Sequence, residues 1–256
     1  MFPIIPANTA TASFPENDEG IFGFGEVSGP NPTAITNLVS NIGVVSSDVA
    51  GVGTARYYLA ACEYGGDKGI FGFGQGAGGE TNLVSNTGVV SSDVVGVGTN
   101  RQSPGACEYG GDKGIFGFGD ITVWTNPTNI TNLVSNTGVV ASDQAATTGT
   151  ARNYIAACSF GEDKGIFGFG YASGHQSVTN LVSNAGVVAS DVAGVGTARY
   201  SLAATQYDTD KGIFGFGTAA GGLTGVTNLV SNTGVVASDV AAVGTAREAL
   251  AACSFN

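Results

Sequence analysis

The chain has 256 residues, 42 of them glycine, and a formal charge of −11 from 20 acidic and 9 basic side chains. That balance repels a phosphate backbone, so nucleic acid is not an expected partner. No apolar run approaches the roughly 18 residues of a membrane-crossing helix, so no membrane span is expected, and the glycines keep no collagen-like period.

Residues 1–16, MFPIIPANTATASFPE, come first and belong to no repeat. Pro3, Pro6 and Pro15 favour an extended arm, and the absence of a basic n-region argues against a secretory signal. Phe2, Ile4, Ile5 and Phe14 are apolar side chains with no repeat unit to join. They either lie against the side of the repeat domain or form a docking arm that reaches a neighbouring protein, the latter suiting a subunit of a larger assembly.

Residues 17–256 are internally periodic. The block GIFGFG starts at Gly20, Gly69, Gly114, Gly165 and Gly212. TNLVSN starts at Thr36, Thr81, Thr131, Thr179 and Thr227, and a GT pair opens at Gly53, Gly98, Gly149, Gly196 and Gly244. Within a unit, LAACEY and KGIFGF are short apolar runs joined by GGD, a tight hairpin turn. TNLVSN and GVVSSD are two further runs, again joined by a glycine turn. Four short strands per unit are therefore predicted, and no helix, because Gly and Val recur too densely. Strand alternation places Phe71 and Phe73 on one face, with Ile70 and Gly72 on the other. The glycine lets an aromatic ring of the next unit approach the backbone.

Tandem four-stranded units of this size predict an all-β, five-bladed β-propeller. The run LAACSFN at 250–256 matches the first strand of a unit, and NDEGIFGFG at 17–25 matches the second. Joined, they reproduce the AACSFGEDKGIFGFG of 156–170. A closed ring, with N- and C-terminal strands zipped into one blade, is the expected architecture, because an open stack leaves two unpaired edges.

The run R-x-x-L-A-A-C-x-Y-G-x-D-K-G-I-F-G-F-G resembles the kelch blade and is similar to the blade of the regulator-of-chromosome-condensation family. It departs from kelch in writing Gly-Phe-Gly for the double glycine and in lacking a tryptophan near the last strand. The resemblance spans 17–256 and implies the propeller fold, not a ligand. The opening MFPIIPANTATA also looks like the openings of structural proteins of marine and cyanobacterial tailed phages. That likeness implies a virion component, assembled in a host cytoplasm, with other virion proteins as partners through the arm.

All nine basic residues sit at repeat positions, among them Arg56, Arg101, Arg152, Arg199 and Arg247. Asp48, Asp93, Asp143, Asp191 and Asp239 precede them, and Asp67, Asp112, Asp163 and Asp210 each precede a Lys. Equivalent placement in every unit reads as architecture: Asp caps a turn, and Arg meets a carboxylate or carbonyl. Cys62, Cys107, Cys158 and Cys253 share one repeat position, taken by Thr205 in the fifth unit, which predicts a small buried slot rather than a disulfide. No metal site, cofactor or catalytic set is expected. The single histidine, His175, lacks a nucleophile and an orienting partner, and no helix follows the glycine-rich runs.

The segments between GFG and TNL do not repeat, and loops on a rigid scaffold are where binding resides. They hold Pro30, Pro32, Trp124, Asn126, Asn129, Tyr171 and His175, the candidate partner-binding residues. A second variable set follows GTAR: Tyr57–Tyr58, Gln102–Ser103, Asn153–Tyr154, Tyr200–Ser201 and Glu248–Ala249. The expected function is a non-enzymatic structural or adhesion protein on a virion surface, in a tail fibre, a tail tip or a capsid decoration. Its loop face would meet a host-surface glycan, a host protein or another subunit. The alternative is a soluble lectin-like propeller, which would need aromatic and amide constellations repeated in every unit.

Overall fold

The computed structural model describes residues 19–29, 31–76, 78–122, 125–145 and 149–254. The docking arm (Phe2, Ile4, Ile5, Phe14), Pro30 and Trp124 lie outside the described residues. Everything described is strand, turn or irregular chain. The first unit holds β1 (Gly20–Gly23) and β2 (Thr36–Val39). The second holds β3 (Ala60–Tyr64), β4 (Lys68–Gly72) and β5 (Thr81–Val84). The third repeats this as β6 (Gly105–Tyr109), β7 (Lys113–Gly117) and β8 (Thr131–Val134). The fourth has β9 (Ala156–Phe160), β10 (Lys164–Gly168) and β11 (Thr179–Val182). The fifth adds β12 (Arg199–Tyr200) before β13 (Ala203–Tyr207) and β14 (Lys211–Gly215). A small hairpin, β15 (Thr218–Ala219) and β16 (Gly222–Leu223), precedes its last strand, β17 (Thr227–Val230).

Each of units two to five is a three-stranded antiparallel sheet with the GIFG strand in the centre. Its registers repeat: Cys62 pairs with Ile70, Cys107 with Ile115 and Cys158 with Ile166. The GGD turn is as tight as its glycines suggest, with Gly65 and Gly66 at φ of 66° and 77°. The strands β3, β6, β9 and β13 pack side by side from unit to unit.

Two strand expectations need correction. The fourth run, GVVSSD, is not a strand: it meets TNLV through isolated bridges such as Val84 to Val90 and Thr81 to Val94. Between those bridges the Leu83 N–H donates to the Ser91 hydroxyl, at 3.0 Å, instead of to a backbone carbonyl. A side chain has taken the acceptor role that a fourth strand would supply. The second correction concerns Phe71 and Phe73, which do not share a face. The strand ends at Gly72, and Phe73 takes a left-handed φ of 62°. Phe71 therefore packs on Phe24 of the preceding unit, and Phe73 on Phe116 of the next, each with ring centroids 5.2 Å apart. The same kink recurs at Phe24, Phe118, Phe169 and Phe216.

The central glycine does what alternation requires. A Cβ on Gly72 would stand 2.7 Å from Phe116 Cζ, and one on Gly117 would stand 2.8 Å from Phe167 Cζ. The tip of each unit's ring thus abuts the glycine of its predecessor, and Phe116, Phe167 and Phe214 are fully buried. The cysteines fill the matching slot: Cys62 Sγ is 2.6 Å from the Cβ position of Gly114, and Cys107 Sγ is 2.5 Å from that of Gly165. Cys62, Cys107, Cys158 and Cys253 are all free thiols.

Candidate functional site

The two ends of the sheets differ in kind. At one end lie the GGD turns and the Ser-Asn-Thr-Gly turns, almost the same in every unit. At the other lie both non-repeating sets, because each GIFG strand ends where its neighbour begins, as in the Ala60–Gly72 pair. The variable segments are therefore gathered at a single end by the antiparallel hairpin itself.

A buried arginine fixes that end at four of the five repeat positions, Arg56, Arg101, Arg152 and Arg199, while Arg247 is exposed. Arg152 is fully buried; its Nε donates to the Phe169 carbonyl at 2.7 Å, and its two terminal nitrogens donate to Thr150 O at 2.9 Å and Asn180 Oδ1 at 2.6 Å. Its guanidinium lies 4.4 Å over the Phe118 ring of the preceding unit. Arg56, Arg101, Arg199 and Arg247 stack on Phe24, Phe73, Phe169 and Phe216 in the same way. Burial pulls Arg101, Arg152 and Arg199 down to about 10, against the opposing pull of a nearby Asp, so all three remain charged at neutral pH. The repeated Asp locks the link ahead of Arg56, Arg101, Arg152 and Arg199: Asp143, for example, accepts from Thr99 N at 2.9 Å, Thr99 Oγ1 at 2.7 Å and Asn132 Nδ2 at 3.0 Å. Lys68, Lys113 and Lys164 pair with the Asp directly before them, but Lys211 pairs with Asp208 rather than Asp210.

After the arginine the chain turns through a left-handed residue: Tyr58, Ser103, Tyr154, Ser201 and Ala249 have φ between 51° and 55°. These turns are tied from unit to unit. Ser103 N donates to Tyr58 O at 2.7 Å, Ser201 N to Tyr154 O at 3.1 Å, and Ala249 N to Ser201 O at 2.9 Å. Holding non-glycine residues there costs on the order of 1 kcal/mol each, offset by the bonds that bind one unit to the next.

The two variable sets meet. Asn153 and Tyr171 are directly opposite in a backbone pair, and so are Gln102 and Asp120. Opposed residues point to one face. Across the next junction, Asn153 Nδ2 donates to the buried carboxylate of Asp120 at 2.6 Å. One unit on, the Tyr171 and Tyr200 rings stand 5.4 Å apart, and His175 sits 5.8 Å from Tyr171 and 5.3 Å from Tyr200. One unit further, Thr218 Oγ1 donates to Glu248 at 2.6 Å. Three successive junctions thus carry different contacts: an amide on a carboxylate, then an aromatic triplet, then a hydroxyl on a carboxylate.

Of the candidate residues, Tyr171 and His175 are brought together, with Tyr171 37% exposed. Asn126 is exposed, and its backbone N–H donates to Asp120 Oδ1 at 3.1 Å. Asn129 is turned inward, where its amide donates to Gly149 O at 2.7 Å, so it serves the frame. Pro32 is exposed and bridges to Glu26. Sequence reading passed over Asp120 and Tyr200 as binding candidates. Their signal was that the residue after GFG and the residue after Arg vary together in chemical kind.

Other chemistry is sparse. Burial pushes the Cys107 thiol far up and Cys158 up to about 12, which keeps both as inert thiols. Burial, with Glu63 and Asp112 adding repulsion, lifts Glu108 to about 7. Among the described residues no group of three or more His, Cys, Asp or Glu could hold a metal ion. Compared with known proteins, the chain matches no family model and no curated sequence.

Proposed function

We propose that the chain is a non-enzymatic structural or adhesion protein, with its five units as the blades of a closed propeller and its variable end as the contact face. The observation that carries this is the separation of the two ends. One end carries closely similar turns from unit to unit, while the other collects the non-repeating loops on a frame pinned by buried arginines. Tyr171, His175 and Tyr200 are the aromatic centre of that face, and aromatic side chains with polar tips are favoured contact residues. The lectin-like alternative asks for equivalent sites at each junction, whereas the junction pairs differ from one to the next.

In the fuller reading the protein is a virion surface component. Residues 1–16 attach it to other virion proteins, and the variable face meets a host surface or another subunit. The phage-like opening MFPIIPANTATA supports this. The test is a density-gradient separation of native material, followed by peptide mass spectrometry across the fractions. Peptides such as DITVWTNPTNITNLVSN should track with intact particles. Recovery only among free soluble protein refutes the virion reading.

A further inference from the structure

Every junction between units is built from the same matched contacts, and the first and fifth units each present one unfilled half of that set. Phe71 covers Gly23, Phe116 covers Gly72, Phe167 covers Gly117 and Phe214 covers Gly168. Among the described residues no ring lies over the fifth unit's Gly215, and the first unit's Phe22 is 55% exposed. Leu83 fits the turn glycine Gly138 of the next unit, Leu133 fits Gly186 and Leu181 fits Gly234. Gly43 in the first unit has open space around it, and Leu229 in the fifth is 38% exposed.

The polar contacts divide the same way. Thr54, Thr99, Thr150 and Thr197 each donate to the repeated Asp that follows in the next TNLV unit. Thr245 offers the same N–H and hydroxyl, and the carboxylate of Asp48 accepts only from Asn37 among the described residues. The cysteine slot is also split. Gly114, Gly165 and Gly212 each receive a Cys Sγ from the unit before, but Gly69 meets no thiol, and Cys253 is exposed. Residues 245–249 already dock on the fifth unit as the start of a further one. Gly217 N donates to Arg247 O, and Ala249 N donates to Ser201 O, both at 2.9 Å. Residues 251–254 then run on exposed, while among the described residues β1 is paired on one edge only, with β2.

We propose that residues 251–254 of the same chain pair along the open edge of β1, joining the fifth unit to the first. The register follows from the fourth unit, where Cys158 opposes Ile166: Cys253 opposes Ile21 and its Sγ enters the slot at Gly69. Phe22 covers Gly215, Leu229 meets Gly43 and Asp48 accepts from Thr245. This seam rests on the ring reading of the five units and names the surface that makes the ring. A linked segment wins over a free one because its effective concentration is set by the chain, in the millimolar range for short links.

The test uses the full chain with Gly69→Cys, oxidised mildly and digested without reduction. Equivalent Cβ and Sγ atoms lie 2.5–2.7 Å apart at the three formed junctions, close enough for a disulfide once the groups relax. A peptide linking residue 69 to Cys253, recovered from protein that stays monomeric on a non-reducing gel, is the expected result. Gly114→Cys, which should bond to Cys62, is the positive control. The same linked peptide recovered only from covalent multimers overturns the seam in favour of pairing between copies. No linked peptide, with the control bonded, overturns it outright. Should Gly69→Cys fail to fold, Gly20→Cys with Thr205→Cys reads the same seam with the same outcomes. The particle fractionation is independent of both results, so failure of the seam and failure of the virion reading are told apart.

Discussion

Replacing Gly168 by alanine tests the packing rule on which the fold rests. The new Cβ would stand 2.6 Å from Phe214 Cζ, 2.9 Å from Cε1 and 3.1 Å from Cε2. Carbon contacts are comfortable at about 3.5–4.0 Å, so the ring must retreat by roughly 1 Å. Phe214 has no exposed surface and is packed within the fourth and fifth units' shared core, so it has little room to do so. Overpacking of this kind costs about 1–3 kcal/mol, less the roughly 0.5–1 kcal/mol by which alanine outperforms glycine in a strand. A net loss of about 1–2 kcal/mol lowers Tm by about 2–8 °C in a chain of this size. Thermal melts followed by circular dichroism measure it. Gly215→Ala is the matched partner. It occupies the same repeat position, and its Cβ meets only Thr227 Cγ2 at 3.2 Å among the described residues. With the seam joined, Phe22 covers Gly215 and the two variants fall together; with the seam open, Gly215→Ala is neutral or slightly stabilising. A neutral Gly168→Ala refutes the ring-on-glycine argument itself.

Three further outcomes follow from the buried polar groups. Arg152→Ala strands the acceptors on Phe169, Thr150 and Asn180 and removes the stack on Phe118; a loss of about 3 kcal/mol or more is expected in urea denaturation, and a loss under about 1 kcal/mol contradicts the pin. Asp143 is pushed up by burial, but its bonds from Thr99 and Asn132 outweigh that and hold it below its ordinary value of 3.8. Its contribution is present above the unfolded value and is lost as pH falls through the lower folded one. Asp143→Asn should therefore be less stable than the parent at pH 6, with the difference closing by about pH 2. Glu108 has the opposite sign, because its folded value is raised from 4.5 to about 7. The parent loses stability as pH rises through that window, so Glu108→Gln should gain about 1–3 kcal/mol at pH 8 and nothing at pH 4. Equal gains at both pH values exclude titration as the cause.

Much of the fold was legible because the sequence writes it five times. The AACEY and KGIFG strands, the GGD turn and the thiol slot all follow from local pattern. Two misreadings have one kind of cause, a local device that breaks strand periodicity without changing composition. The left-handed φ at Phe73 turns its ring to the opposite junction, and a left-handed phenylalanine has no sequence signature beyond the glycines around it. The Ser91 hydroxyl takes a backbone acceptor's place, and SSD reads like any polar strand end.

The candidate site was half legible for a related reason. Periodicity identifies what each unit shares, and subtraction then isolates two variable sets. It cannot show that they touch, because Asp120 and Asn153, or Tyr171 and Tyr200, are brought together only across a junction between units. Once paired, their variation has a physical consequence. Identical junctions would let any unit accept any other, since the Phe-on-Gly and Cys-on-Gly contacts are the same throughout. An amide against a carboxylate cannot be exchanged for one tyrosine against another without taking from Asp120 Oδ2 the donor that Asn153 supplies, a penalty of about 1–3 kcal/mol. The junction pairs therefore make the junctions between the third and fourth units, between the fourth and fifth, and beyond chemically distinct, and they lie at the end of the sheets that gathers the variable segments. On the proposed function, partner recognition falls to the side chains beside these pairs, with Tyr171 and His175 foremost among those described.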